Sequence, residues 1–216
     1  MTFSIVARCK RTGQLGTAVA TSTLSVGSRV PQARARTGAL IVQYWADQRL
    51  ARRGIDLMSS GCSASETLDA MLASTPHRQR RQIAVIDAVG RTAGFNGSFV
   101  RPHHAIVEGD NCVAAGNILA NAAVILAMVK AFEQNDNANL ADRLLFSLQA
   151  GADAGGEPKP LLSSALMIVD ELDFAYADLR IDRSDNPVTD LRRLWNEYGP
   201  RASEYILRVT DPDSLP

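Results

Sequence analysis

The chain has 216 residues, in which 23 Lys and Arg balance 23 Asp and Glu, so its formal net charge is zero. This length can bury a sizeable core, and no segment has the composition of a linker, so we expect a single domain over residues 1–216. The balanced charge gives no general attraction to nucleic acid or anionic lipid, and we expect binding to neither.

The cysteines and the apolar segments indicate the setting of the protein. The chain has three widely spaced cysteines, Cys9, Cys62 and Cys112. This odd number fits neither a disulfide framework nor a zinc knuckle, so we expect a reduced, cytoplasmic protein. The most apolar helical stretch, residues 118–132, is interrupted by Asn121 and Lys130 and is too short to cross a bilayer. The first residues have no secretory pattern.

Two apolar, β-branched segments, residues 2–8 and 15–21, open the chain and flank a turn that contains glycine. They predict an antiparallel hairpin. Paired positions in such a hairpin sum to a constant, here about 23 or 24, so Thr2 is expected opposite Thr21 or Ser22. The hydroxyl groups of residues 21–23 would then either orient a substrate beside Thr2 or simply end a polar strand.

Thr2 is a candidate nucleophile. If Met1 is removed, Thr2 carries a hydroxyl group and a free α-amine on one residue, and the amine has a reference pKa of about 7.7 to 8.0. Such an amine can take the hydroxyl proton near neutral pH, which is how an N-terminal threonine is activated. A small second residue generally permits removal of the methionine. The structural alternative is that Thr2 only begins a strand, for which threonine is well suited.

Five segments of the chain resemble an uncharacterised bacterial family that is assigned to the N-terminal nucleophile hydrolase fold. They are residues 2–8, 12–21, 26–31, 36–43 and 178–183. The resemblance covers nearly the whole chain. It implies an α+β fold, a four-layer α-β-β-α sandwich of two mainly antiparallel sheets, with the nucleophile at the start of a central strand. It implies no known substrate, because the family has no established reaction.

The segments after the hairpin predict an ordered series of elements. A loop over residues 24–36 precedes a buried strand at residues 38–44, in which Gln43 is the polar exception and either binds substrate or satisfies its neighbours. Helices are predicted at residues 46–60 and 63–73, the second with a Ser63–Glu66 capping box. Two strands, residues 82–87 and 91–95, then form a second hairpin.

The following segment, residues 96–110, is predicted to be a loop with one or more short strands. It contains side chains that could ligate a metal: His103, His104, Glu108 and Asp110, with Arg101 beside them. Adjacent histidines of an extended chain point in opposite directions, which does not suit one metal ion. We therefore predict a solvated loop bordering the pocket, with no metal site and no cofactor.

Residues 111–117 read as a strand that ends in Gly116-Asn117, ahead of a helix at about residues 119–134. Backbone amides at such a junction, together with the Asn117 side chain, could stabilise an oxyanion. The alternative is that Asn117 caps the helix, a favoured role for asparagine.

The last third of the chain predicts a helix at residues 140–152, a glycine- and proline-rich loop to residue 160, and a hairpin of residues 163–170 and 175–182. Strand alternation places Asp178, Arg180 and Asp182 on one face, where these charges either pair with one another or bind a substrate. Terminal helices near residues 188–198 and 201–207 follow. The order of strands, helix pairs and strands fits the sandwich that the resemblance implies.

These patterns predict an amidohydrolase that cleaves a small amide or isopeptide C–N bond through an acyl-enzyme on Thr2, with Asn117 and nearby backbone amides stabilising the oxyanion. Its partner would be a small-molecule amide, and a homo-oligomer is compatible with the sequence. The candidate substrate-binding residues are Thr21, Ser22, Thr23, Gln43, Asp178 and Arg180. The alternative is a non-catalytic protein of the same fold that binds a small molecule or a partner in its cleft.

Overall fold

The computed structural model describes residues 1–214, which form two antiparallel sheets and six α-helices. The strands are β1 (Thr2–Arg8), β2 (Leu15–Thr21), β3 (Pro31–Arg34), β4 (Gly38–Tyr44), β5 (Arg81–Asp87), β6 (Thr92–Asn96), β7 (Ala105–Gly109), β8 (Cys112–Asn117), β9 (Ser163–Val169) and β10 (Ala175–Ile181). The helices are α1 (Gln48–Ser59), α2 (Ala64–Ala73), α3 (Ala123–Gln134), α4 (Leu140–Asp153), α5 (Pro187–Tyr198) and α6 (Ala202–Thr210).

The sheets pack face to face, and helices cover their outer faces. One sheet has the order β10-β9-β2-β1-β8-β7 and the other has the order β3-β4-β5-β6. Apolar side chains fill the space between the sheets, the space between the six-stranded sheet and α3 to α5, and the space between the four-stranded sheet and α1 and α2. The predicted four-layer α-β-β-α sandwich is therefore confirmed.

The alternation of side chains along β1 shows how one strand serves two cores. Phe3 and Ile5 are fully buried against the helices, whereas Val6 is fully buried between the sheets. Complete burial of such a side chain contributes about 1.5 to 3 kcal/mol. Because β1 is a central strand with apolar neighbours on both faces, its position and its register are strongly specified. Ser4 also points between the sheets, on the same face as Val6.

The register of the first hairpin agrees with the sequence prediction. Phe3 pairs with Ala20 and Arg8 pairs with Leu15, so paired positions sum to 23, and Thr2 lies level with Thr21. The turn between the strands contains Gly13, which has a φ of 80°. That left-handed conformation costs glycine little, because it has no Cβ.

Several predicted boundaries differ from those observed. The predicted loop 24–36 contains a short strand, β3, that pairs with β4. The third helix begins at Ala123, and the Asn121 side chain accepts a hydrogen bond from the Ala123 N–H at 2.8 Å. The prediction that Asn117 caps this helix is therefore wrong, because Asn117 lies inside β8. The Ser63–Glu66 capping box of α2 is confirmed.

Candidate active site

Thr2 lies at the first position of the central strand β1, between β2 and β8. Its backbone partner on β8 is Asn117, and both residues are buried, with 7% and 0% of their surfaces exposed. The alternation along β1 directs Thr2 to the same side as Ser4, into the gap between the sheets. The polar side chain of Thr2 therefore lies at one end of the apolar core between the two sheets.

Three hydroxyl groups meet at this end of β1. The Thr2 Oγ1 lies 3.5 Å from the Thr21 Oγ1, and the Thr21 Oγ1 lies 3.4 Å from the Thr23 Oγ1. The Thr21 hydroxyl donates a hydrogen bond of 2.7 Å to the carbonyl oxygen of Met1, which the Thr2 hydroxyl also contacts. The structure thus brings together Thr2, Thr21 and Thr23. The carbonyl group that Thr2 and Thr21 contact is that of Met1, the residue bonded to the Thr2 nitrogen.

A network of buried side chains joins the two sheets next to Thr2. The Ser4 hydroxyl donates to Gln43 Oε1 at 2.8 Å, and Gln43 Nε2 donates to Gln82 Oε1 at 2.8 Å. Gln82 Oε1 also accepts a hydrogen bond from Asn117 Nδ2 at 3.0 Å. All four side chains are fully buried. Because Gln43 uses both ends of its amide in this network, its geometry fits the structural alternative better than substrate binding.

Asn117 has one polar atom that the network does not use. Its Oδ1 is buried and has no hydrogen-bond partner among the described residues. A buried acceptor without a donor costs about 1 to 3 kcal/mol, so its presence needs a reason. The atom belongs to the strand partner of Thr2.

Glu157 is a buried carboxyl group at the same end of β1. It lies in the loop between α4 and β9, is 7% exposed, and accepts a hydrogen bond of 3.0 Å from the Ser22 N–H through Oε2. Its Oε1 is buried and has no partner among residues 1–214. Burial raises the pKa of Glu157, and the Ser22 hydrogen bond and the positive N-terminus act against this shift. Sequence reasoning missed Glu157, because its glycine- and proline-rich loop has no strand or helix periodicity.

Replacing Glu157 with Gln is expected to stabilise the protein at neutral and alkaline pH, by about 1 kcal/mol. A carboxyl group whose folded-state pKa is raised favours folding only while it is protonated, so wild-type stability falls as the pH rises from about 4.3 through the folded-state pKa. The gain from Glu157→Gln should therefore disappear in acid. Urea unfolding of both proteins across this range measures it, and a Glu157→Gln protein less stable than wild type at alkaline pH would contradict it.

A cavity of about 710 Å³ is lined by Arg29, Tyr44, Trp45, Arg81 and four neighbours, which do not include Thr2, Asn117 or Glu157. Arg29 Nη2 donates to the Thr23 Oγ1 at 3.1 Å, which connects the cavity to the hydroxyl groups beside Thr2. Tyr44 follows Gln43 and has a φ of 71°. A bulky residue in the left-handed region is an outlier, and such strain concentrates at functional sites.

Comparison with known proteins identifies the family. Residues 2–191 match the sequence model of DUF1028, a family of unknown function. The chain belongs to the DUF1028 family. The crystal structure of a DUF1028 protein from Silicibacter pomeroyi has 30% sequence identity and a TM-score of 0.85 to this chain, and the match covers 91% of this chain and 85% of that one. The two DUF1028 proteins therefore share one fold.

Other solved structures are more distant. Anbu (ancestral beta-subunit) from Yersinia bercovieri has 10% identity and a TM-score of 0.43 to this DUF1028 protein, with 90% of this chain and 93% of that chain covered. Anbu from Hyphomicrobium sp. strain MC1 has 8% identity and a TM-score of 0.43, with coverages of 94% and 97%. Such low scores carry no argument about the site. No curated protein matches the chain in sequence.

Two predicted binding residues of the DUF1028 protein lie away from Thr2. Asp178 and Arg180 are exposed on the edge strand β10, and β9 and β2 separate that strand from β1. Neither side chain forms an ion pair within residues 1–214, so the predicted pairing of the two is wrong. The aliphatic part of Arg180 instead packs over Gly27, where a Cβ would come within 2.5 Å of the arginine side chain.

Residues 96–110 of the DUF1028 protein, which include β7, show no metal centre. His103 and His104 are exposed, Glu108 accepts a hydrogen bond from Thr92, and Asp110 pairs with Lys10. Within the described residues, no group of three or more His, Cys, Asp or Glu side chains is placed to hold a metal ion. None of the helices in this range has both the length and the apolar character that crossing a bilayer requires.

Proposed function

We propose that this DUF1028 protein is an amide hydrolase whose nucleophile is the hydroxyl group of Thr2, freed at the N-terminus by removal of Met1. The observation that carries the proposal is the position of Thr2 at the start of the central strand β1, where the Thr21 hydroxyl donates a hydrogen bond to the carbonyl oxygen of Met1, the peptide carbonyl group directly before Thr2. A substrate carbonyl group held in the same way would be in reach of the nucleophile.

In the proposed reaction the Thr2 Oγ attacks the carbonyl carbon of the substrate amide, while its proton passes to the Thr2 α-amine. The tetrahedral intermediate collapses with cleavage of the C–N bond, and the α-ammonium returns the proton to the leaving amine. The acyl group remains on Thr2 as an ester. Water then attacks this ester, the α-amine acts as base again, and the carboxylic acid and free Thr2 are released.

Two neighbouring side chains support this reaction in different ways. The Thr21 hydroxyl, which binds the Met1 carbonyl oxygen, would donate a hydrogen bond to the oxyanion. Asn117 gives one amide hydrogen to Gln82 and keeps a second, which could serve as another donor. Its unpartnered Oδ1 could accept a hydrogen from the Thr2 amine and so orient the base. Asn117 would then be a positioning residue as well as an oxyanion donor.

Covalent labelling tests the nucleophile. A chain that starts at Thr2, produced by cleaving off a removable tag, is treated with a β-lactone, which acylates activated threonine hydroxyl groups. Intact-mass measurement is expected to show one adduct per chain, none on Thr2→Ala, and none on a chain that retains Met1. Peptide mapping should place the adduct on residue 2. An unlabelled Thr2 chain with a normal unfolding transition would contradict the proposal and favour the non-catalytic binding protein.

A further inference from the structure

The Met1 residue occupies the site as a bound aminoacyl group would. Its carbonyl oxygen accepts a hydrogen bond from Thr21, and its Sδ lies 3.7 Å from the Ser22 Oγ. Burial lowers the pKa of the Met1 α-amine, an effect that the negative charge of Glu157 opposes. The site therefore contacts the carbonyl group and the side chain of an amino acid, and it places a carboxyl group near the amine.

One carboxylate oxygen of Glu157, Oε1, is free to accept a hydrogen bond from such an amine. Met1 and Glu157 do not form an ion pair within the described residues, and Glu157 Oε1 is unpartnered although it is buried. Met1 is bonded to the nitrogen of Thr2, whereas a substrate would approach the Thr2 hydroxyl and is free to move its ammonium group toward Oε1. A buried carboxylate without a partner is costly, and an ammonium ligand would remove that cost.

We propose that Glu157 forms a subsite for the α-ammonium group of the substrate, so that the protein selects amides of α-amino acids whose amino group is free. This inference rests on the proposed function for the identity of the cleaved bond, but the binding of the ligand can be tested without catalysis. Amides with a blocked amino group would lose the charged partner of Glu157 and leave its carboxylate buried and unpaired.

Calorimetric titration tests the subsite. The protein is a chain that starts at residue 2 and carries Thr2→Ala, which cannot form the acyl-enzyme, and the two probes are methioninamide and N-acetylmethioninamide at neutral pH. We expect methioninamide to bind about 10- to 100-fold more tightly than its acetylated form. Adding Glu157→Gln should remove this preference by weakening only the methioninamide complex. A chain that retains Met1 should bind neither probe, because Met1 fills the site.

A matched variant controls for charge. Asp153→Asn removes the same charge from an exposed position at the end of α4, four residues before Glu157, and should change both affinities by less than about twofold. Equal affinity for the two probes would overturn the inference. An equal loss of affinity for both probes after Glu157→Gln would also overturn it, because Glu157 would then act on the α-amine of residue 2 and not on the ligand. Selective binding by the Thr2→Ala protein, together with no hydrolysis of either amide by the matching chain that keeps Thr2, would uphold the subsite and refute the hydrolase.

Discussion

Replacing Thr2 with Ala in a chain that starts at residue 2 is expected to lower kcat/KM for amide hydrolysis by about 10⁴- to 10⁶-fold. The substitution removes the proposed nucleophilic oxygen, while the α-amine and the neighbouring strands remain. Hydrolysis is measured by the ammonia released, with methioninamide as the first substrate tried. This is the largest effect that we expect from any single side chain of the site.

Thr2→Ser is the matched control, because serine keeps both the hydroxyl group and the α-amine. It should retain a measurable part of the activity, and Thr21→Ser, which keeps the proposed oxyanion donor, should do the same. A Thr2→Ala protein that hydrolyses the amide at the wild-type rate would exclude the N-terminal nucleophile. The cleft would then have to act through other groups or only bind its ligand.

The strand that carries Thr2 could be predicted because local signals agree with one another. β1 and β2 are apolar, β-branched and separated by a short turn, so their pairing and register follow from the sequence. The same register places Thr21 beside Thr2, and the structure confirms that neighbourhood. When two residues lie on strands that follow each other in the chain, as Thr2 and Thr21 do, strand periodicity alone is enough to predict that they are neighbours.

Glu157 and Gln82 could not be predicted in this way. Glu157 reaches the Ser22 N–H only because β9 pairs with β2, which brings the loop before β9 to the end of β2. Gln82 meets Asn117 across the gap between two sheets, and no local pattern encodes the distance between sheets. Asn117 was predicted to lie near the site, but its capping role failed because the helix begins several residues later, at Ala123.

The second large effect concerns stability. Gln82→Leu, which keeps the size of the side chain but removes its amide, is expected to lower the free energy of unfolding by about 3 to 4 kcal/mol. Gln82 Oε1 accepts hydrogen bonds from Gln43 and Asn117, and its Nε2 donates to Asn96 Oδ1 at 2.6 Å and to the Gly116 carbonyl oxygen at 2.8 Å. Leucine would leave the buried Asn117 amide without its acceptor, would remove a donor from the buried Gly116 carbonyl oxygen, and would leave Gln43 Nε2 with only the Ala115 carbonyl oxygen.

Urea unfolding measures this loss, and Gln149→Leu is its control. Gln149 is exposed on α4 and donates a hydrogen bond to Asp153 alone, so the same substitution there should change stability by less than about 0.5 kcal/mol. A loss below about 1 kcal/mol for Gln82→Leu would mean that the neighbouring amides find other partners. A large loss would show that the buried network holds the two sheets together beside Thr2, and that Asn117 depends on the opposite sheet for its orientation.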